Sequence, residues 1–193
     1  MGRYERSRSD VVRIIGGTRR GRKLVDWEGE GIRPVRDFVR SALFSIIADF
    51  VPDAAFLDLY CGTGSIGLEA LSRGARSCTF VDRSHAACSI VRQNLDALDL
   101  LSAGEVIESG VVETIDHLKR RGRRFDIAFI DPPYHEGLVP RTLEALADGL
   151  ILTPDPVVIA AVDRKEEIEG LFGVLIRVDE RVYGDNRLIF YRR

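Results

Sequence analysis

The sequence has little cysteine, few aromatic residues and no long apolar run, and each shortage removes a class of protein. Only three of its 193 residues are cysteine: Cys61, Cys78 and Cys88. The number is odd and no pair has CxxC spacing, so neither a disulfide framework nor a zinc site is expected. The three read as buried or half-buried thiols of a reducing compartment. No apolar stretch approaches the roughly 20 residues of a membrane span. The opening MGRYERSRSD lacks the apolar segment of a signal peptide, and the expected location is the cytoplasm. His85, His117 and His135 are scattered; they suggest no metal site and no catalytic base. There is no internal repeat.

What is present suits one domain with a small extension. Apolar residues make up 45% of the chain and aromatic residues 8%, enough for a sizeable core. The net charge is only −2, but it is unevenly spread. Residues 1–40 hold ten Arg and one Lys against six acids, and the rest of the chain is net acidic. A basic arm on an acidic body is the pattern of a polyanion binder, although a solvated, mobile terminus would read the same way.

Residues 1–10 read as a flexible leader. Val11 to Ile15 and Arg20 to Trp27, punctuated by Gly16-Gly17, read as short extended pieces of a small hairpin. From Arg36 to Phe50 the pattern is helical, with Val39, Leu43, Ile46, Ile47 and Phe50 on one face. Strands and helices then alternate. Strands are expected at Ala54 to Leu59, Cys78 to Val81, Glu105 to Glu108, Phe125 to Ile130 and Pro156 to Val162. Helices are expected at Ser65 to Arg73, from an N-cap at Ser84, up to Arg120, at Leu138 to Leu150, and briefly at Arg164 to Glu169. Val174 to Tyr183 and Arg187 to Tyr191 flank a Gly184-Asp185-Asn186 turn and read as a closing antiparallel hairpin. Alternation of this kind implies an α/β fold with a parallel sheet and helices on both faces. Ligands in such sheets lie at the carboxyl ends of the strands, which here are Asp58 to Gly64, Asp82, Ser109 to Val111, Asp131 to Tyr134 and Asp163.

The first of these ends reads Asp58-Leu59-Tyr60-Cys61-Gly62-Thr63-Gly64-Ser65-Ile66-Gly67. Gly62, Gly64 and Gly67 satisfy GxGxxG, a pattern common to several adenosine-containing ligands. Asp58 discriminates among them. A carboxylate just before the loop would repel a pyrophosphate, whereas the amino group and sulfonium of S-adenosylmethionine are cationic. Asp82, followed by Arg83, ends the second strand, where an acid can accept from both ribose hydroxyls.

The fourth strand runs into Asp131-Pro132-Pro133-Tyr134. Two prolines fix the backbone and hold Asp131 and the neighbouring carbonyls in a rigid turn, with the Tyr134 ring beside them. An exocyclic amino nitrogen of a base is a poor nucleophile, because its lone pair is delocalised into the ring. A carboxylate and a fixed carbonyl can accept its two N–H bonds and free that lone pair for methyl transfer. Tyr134 can stack on the base. Guanine offers N1–H and N2–H side by side to a two-oxygen carboxylate, while an adenine amino group could also donate to Asp131.

Four blocks carry a resemblance across nearly the whole chain: RIIGGTRRGRKL at 13–24, GIRPVRDFVRSALFSII at 31–47, FLDLYCGTGSIGLEALSRGA at 56–75 and FDIAFIDPPY at 125–134. In these the sequence resembles the bacterial 16S ribosomal RNA guanine-N2 methyltransferases, the RsmD family. The resemblance implies a Rossmann-like class I S-adenosylmethionine methyltransferase fold: a mostly parallel seven-stranded sheet with an antiparallel C-terminal hairpin. It divides the chain into a basic extension with a short hairpin (1–35) and a methyltransferase domain (36–193). It implies S-adenosyl-L-methionine as cofactor. The partner it implies is 16S ribosomal RNA, in the small ribosomal subunit or its assembly intermediate. Asp131, Pro132, Pro133 and Tyr134 match the catalytic motif. Asp58, Tyr60, Cys61, Gly62, Thr63, Gly64, Gly67, Asp82 and Arg83 match the cofactor positions, with Gly110 and Val111 after the third strand.

There are departures. Val35 and Arg36 stand where the family usually has threonines, and Gly110 replaces its usual polar residue, so adenine contacts there would come from backbone. Arg13, Arg19, Arg20, Arg22, Lys23, Arg33, Arg36 and Arg40 become candidates for RNA phosphate contacts. Three rivals differ in class. A DNA adenine-N6 methyltransferase could share Asp-Pro-Pro-Tyr but usually needs a separate sequence-reading region. A dinucleotide-dependent oxidoreductase is opposed by Asp58. A non-catalytic RNA-binding assembly factor on a methyltransferase scaffold would bind RNA without methyl transfer.

Overall fold

The computed structural model describes residues 12–25 and 37–193. Its frame is β1 (Ala55–Leu59), β2 (Ser77–Asp82), β3 (Gly104–Glu108), β4 (Phe125–Ile130), β5 (Leu152–Asp163), β6 (Leu171–Phe172), β7 (Leu175–Tyr183) and β8 (Asn186–Arg192). The helices are α1 (Asp37–Ile46), α2 (Ser65–Ser72), α3 (His85–Ala97), α4 (Val111–Arg120) and α5 (Leu138–Leu146). The strands form one sheet in the order β3-β2-β1-β4-β5-β8-β7-β6. The pairs from β3 to β5 are parallel, and β8, β7 and β6 run antiparallel to their neighbours. The fold is therefore the expected α/β one, and the two-residue β6 adds an eighth strand.

Strand β1 is buried along its full length, as a central parallel strand covered on both faces must be. Alternate residues feed two cores. Phe56, Phe80, Ile127, Phe129, Leu188 and Phe190 pack with α1, α2 and α3. Leu57, Leu59, Val81, Ile130, Ile189 and Tyr191 pack with α4 and α5. After β1 the chain builds outward through β2 and β3, then returns to place β4 on the other side of β1. That reversal opens a crevice between the carboxyl ends of β1 and β4.

The N-terminal hairpin is part of this body. Arg13 bridges Lys23, the Ile14 N–H donates to the Arg22 carbonyl at 3.0 Å and the Leu24 N–H to that of Val12 at 2.9 Å. Val12, Ile14 and Leu24 join the α1–α2–α3 core. Its tip docks on α2: the Glu69 carboxylate accepts from the Ile15 and Gly16 N–H groups at 2.8 and 2.7 Å, and the Ser72 hydroxyl donates to the Gly16 carbonyl at 2.6 Å. Gly17 has φ +73°, and a Cβ there would lie 1.8 Å from the Ser72 carbonyl oxygen, so no other residue fits. The expected leader at 1–10, with Val11 and Trp27, lies outside the described residues.

Three expectations change. The helix expected to Leu150 stops at Leu146, because Gly149 turns left-handed (φ +68°) and Asp148 accepts from the Leu150 N–H at 2.9 Å. No helix follows β5: Asp163 takes the Lys165 N–H on its side chain at 2.8 Å and the Glu166 N–H on its carbonyl at 3.0 Å. Such local capture favours a turn over a helix. In and just after α1, Val39, Leu43 and Ile47 face inward as expected, but Arg40 and Phe44 are buried beside them, and Ile46 and Phe50 are 36% and 44% exposed.

Candidate active site

The crevice between β1 and β4 collects the two strongest motifs. Asp58 is buried at the end of β1, and its Oδ2 accepts the Gly67 N–H at 2.9 Å. The loop thus turns back onto the acid that precedes it. Burial pushes the Asp58 carboxyl well above the usual carboxylate range, a shift that the Gly67 bond opposes and the nearby Asp131 and Asp82 increase. Gly62 and Gly64 have φ +53° and +75°. At Gly67 a Cβ would lie 2.3 Å from the Phe80 ring and 2.5 Å from the Cys78 sulfur, so α2 can sit this close to β2 only without a side chain there. Tyr60 is also left-handed (φ +63°), and its hydroxyl meets that of Thr142 on α5 at 2.8 Å. Cys61 and Thr63 are buried. The Thr63 carbonyl accepts from Asn94 of α3 at 3.3 Å.

Asp82 ends β2 beside this loop. Its Oδ2 accepts the Gly62 N–H at 3.0 Å and its Oδ1 the Ser84 N–H at 2.9 Å. These bonds fix the carboxylate and leave each oxygen a second lone pair for a hydroxyl donor. Arg83 next to it is exposed. At the end of β3, Gly110 caps α4 and Val111 is buried in its first turn. A Cβ on Gly110 would meet the Glu113 carboxylate at 2.1 Å, so backbone and Glu113 line that corner.

Asp131 follows β4 on the same face as Phe129. Its N–H donates to the Leu59 carbonyl at 3.4 Å, which ties the motif to β1. Its carboxylate accepts no hydrogen bond among the described residues, and burial alone raises its pKa to about 7. A carboxyl held in that state is poised near neutrality and able to accept from a donor that arrives. Pro132 is buried and Pro133 exposed. Tyr134 is 37% exposed, and its hydroxyl donates to Asn186 Oδ1 at 2.7 Å. The next residue, His135, has φ +63° and donates its N–H to Glu166 at 3.1 Å. The motif loop is thus pinned at both ends, to β1 and to the segments around β8.

The residues fit a ligand with an adenosine and a cationic end. The glycine loop leaves room for close backbone approach, Asp82 offers acceptor capacity, and Asp58 and Asp131 are acids made unstable as anions by burial, which a positive ligand would relieve.

The basic candidates divide. Arg20 and Lys23 are exposed, and their side chains make no hydrogen bond or ion pair among the described residues. Arg13 is exposed, with a bond to the Gly21 carbonyl at 3.3 Å. Arg19 donates to the Leu98 carbonyl at 2.7 Å and Arg22 to that of Ala97, so both cap the C-terminal end of α3. Arg40 requires a correction. It is fully buried, donates to Asp37 at 2.9 Å and to the Arg13 carbonyl, and cannot reach a phosphate. Burial lowers its pKa, and Asp37 and Glu69 oppose that shift. Arg33, Arg36 and Val35 lie outside the described residues. Sequence reasoning missed Glu69, Asn94 and Asn186, which hold the hairpin, the glycine loop and Tyr134. Only Glu69 left a signal, as a lone acid in the apolar run SIGLEALS.

The family described as conserved hypothetical protein 95 matches residues 12–192. The chain is 38% identical to ribosomal RNA small subunit methyltransferase D of Escherichia coli over 77% of this chain and 73% of that protein. It is 33% identical to the protein of the same name from Haemophilus influenzae, over 81% of each. The chain belongs to the ribosomal RNA small subunit methyltransferase D family. The solved structure of yhhF from Escherichia coli superposes with a TM-score of 0.83 at 31% identity, over 94% of this chain and 97% of the other. The family match includes the N-terminal hairpin as well as the sheet, in keeping with a hairpin that shares the core.

Proposed function

We propose that the protein is an S-adenosylmethionine-dependent methyltransferase acting on ribosomal RNA. Its target is the exocyclic N2 amino group of a guanine in 16S ribosomal RNA of the small subunit or its assembly intermediate, in the cytoplasm. The observation that carries this reading is Asp131: a carboxyl with no partner among the described residues, raised to about 7, on a Pro-Pro turn at the β1–β4 crevice.

The cofactor supplies a methyl group activated by a sulfonium. The chain's own residues do the rest. Gly62, Gly64 and Gly67 admit the ligand against backbone, and Asp82 takes the ribose hydroxyls. Asp131 accepts from the base; its two oxygens match the adjacent N1–H and N2–H of guanine. The rigid carbonyls of the turn take the second amino hydrogen, and Tyr134 stacks on the ring, which holds the nitrogen in line. A base in a helix must first leave the stack. The relatives' printed names, which specify the small subunit, support the ribosomal substrate. Among the described residues no helix is long and apolar enough to cross a membrane.

The test uses radiolabelled S-adenosylmethionine and small subunits lacking the modification, with the RNA digested to nucleosides. Label in N2-methylguanosine supports the reading. Label in N6-methyladenosine would keep the mechanism and change the base. Tight cofactor binding with no label in any nucleoside would leave only the scaffold.

A further inference from the structure

One exposed aromatic pair sits beside the crevice and has no part in the chemistry above. Phe38, in the first turn of α1, is 71% exposed, the largest exposure of any large apolar side chain among the described residues. Its ring meets the half-buried Tyr183 edge-on, with centroids 5.8 Å apart and planes at 78°. Single exposed aliphatics need no explanation, but two aromatics held together at the ligand end of the sheet do.

Their position follows from the register. Asp163, at the carboxyl end of β5, pairs with Asn186, and Asn186 pairs with Tyr183 across the β7–β8 turn. Directly opposed residues of antiparallel strands project to the same face. Asn186 uses that face to accept from the Tyr134 hydroxyl at 2.7 Å, and Tyr183 packs against the core shared with α1 and the N-terminal hairpin. Phe38, Tyr183, Asn186 and Tyr134 therefore form a continuous rim from the catalytic turn to α1. The hairpin that exposes Arg13, Arg20 and Lys23 packs into the same side of the sheet.

We propose that Phe38 and Tyr183 form a second stacking platform, which takes a nucleobase flanking the target in the substrate RNA. The proposal rests on the reading of the protein as an RNA methyltransferase. A base turned out of its stack leaves its neighbours with an open π-face, and an aromatic ring held in water on the rim that leads from the catalytic turn offers a new one without regard to sequence. The exposed cations behind it would hold the backbone on either side.

The experiment compares wild type with Phe38→Ala, Phe38→Leu and Phe38→Trp on unmodified small subunits, measuring particle binding, KM and kcat, with cofactor affinity and Tm as controls. Phe38→Ala should raise KM and weaken particle binding about 5- to 140-fold, the range for loss of one stacked base. Cofactor affinity and Tm should not change. Phe38→Trp should restore binding, and Phe38→Leu, apolar but not flat, should not. Binding by Phe38→Ala within twofold of wild type, or rescue by leucine, overturns the platform. Failure of the wild type to transfer methyl groups would instead overturn the methyltransferase reading. In that event the binding comparison still decides whether the rim holds a base.

Discussion

Asp131 carries opposite consequences for chemistry and for stability. An unfolded aspartate titrates near 3.9, whereas Asp131 in the fold titrates at about 7. The folded protein therefore binds this proton more tightly than the unfolded chain. The penalty for ionising it is absent below about pH 4, grows between pH 4 and 7, and is complete above 7. Asp131→Asn should accordingly stabilise the protein by roughly 1–3 kcal/mol at pH 8 and by little at pH 4, while removing most of the activity. Denaturant melts at the two pH values check this, and a variant less stable than wild type at pH 8 would contradict it. At Gly67 the direction is reversed. A methyl group there meets the Phe80 ring and the Cys78 sulfur, so Gly67→Ala should cost about 1–3 kcal/mol by overpacking. Cofactor affinity should fall with it, because the Gly67 N–H also holds Asp58; calorimetric titration with S-adenosylhomocysteine reads this directly.

At the scale of elements, the hairpin and α2 act as a unit through Glu69, which is fully buried and takes two hairpin N–H groups and the Arg73 guanidinium, the last at 2.8 Å. Glu69→Ala leaves those donors unpaired in the core. The hairpin should then become sensitive to protease within residues 12–25, and Tm should fall. Unchanged proteolysis would mean that the apolar contacts of Val12, Ile14 and Leu24 suffice. Beyond the lone acid in SIGLEALS, this docking is not legible in the chain, because the hairpin partners of Glu69, Ile15 and Gly16, lie more than 50 residues away. The alternating elements are legible, because the β1, β2 and β4 segments are buried on both faces and read as apolar runs. The sequence shows β5 only from Pro156, because Pro154 and Pro156 interrupt its start, where the pairing with β4 shifts register. The helix expected at Arg164 to Glu169 has the composition but not the geometry, because Asp163 captures the Lys165 and Glu166 N–H groups and the Arg164 N–H donates to the Asp185 carbonyl. In the site, glycines and prolines mark backbone constraints and can be read locally. Asn94 and Asn186 act through long-range contacts and cannot.

For the whole molecule, the proposed function places the RNA against the basic hairpin rather than the acidic body. Arg19 and Arg22 cap α3, so their loss would mix structural and binding effects. Arg20 and Lys23 offer a cleaner probe. Arg20→Ala with Lys23→Ala should weaken particle binding, flatten its dependence on salt concentration by about two charges and leave Tm unchanged; an unaltered salt slope would remove the hairpin from the RNA interface. The central claim concerns the catalytic turn, where a single acid, made neutral-poised by burial, receives the target amino group. Its most direct test is kcat/KM for methylation of unmodified small subunits between pH 5.5 and 9, which reports the free enzyme's ionisations. For the wild type we expect a rise with pH through an apparent pKa near 7 to a plateau. Asp131→Asn should be at least about 100-fold slower and lack that ionisation. A wild-type profile flat across this range, or an Asp131→Asn enzyme that retains both rate and profile, would contradict the account.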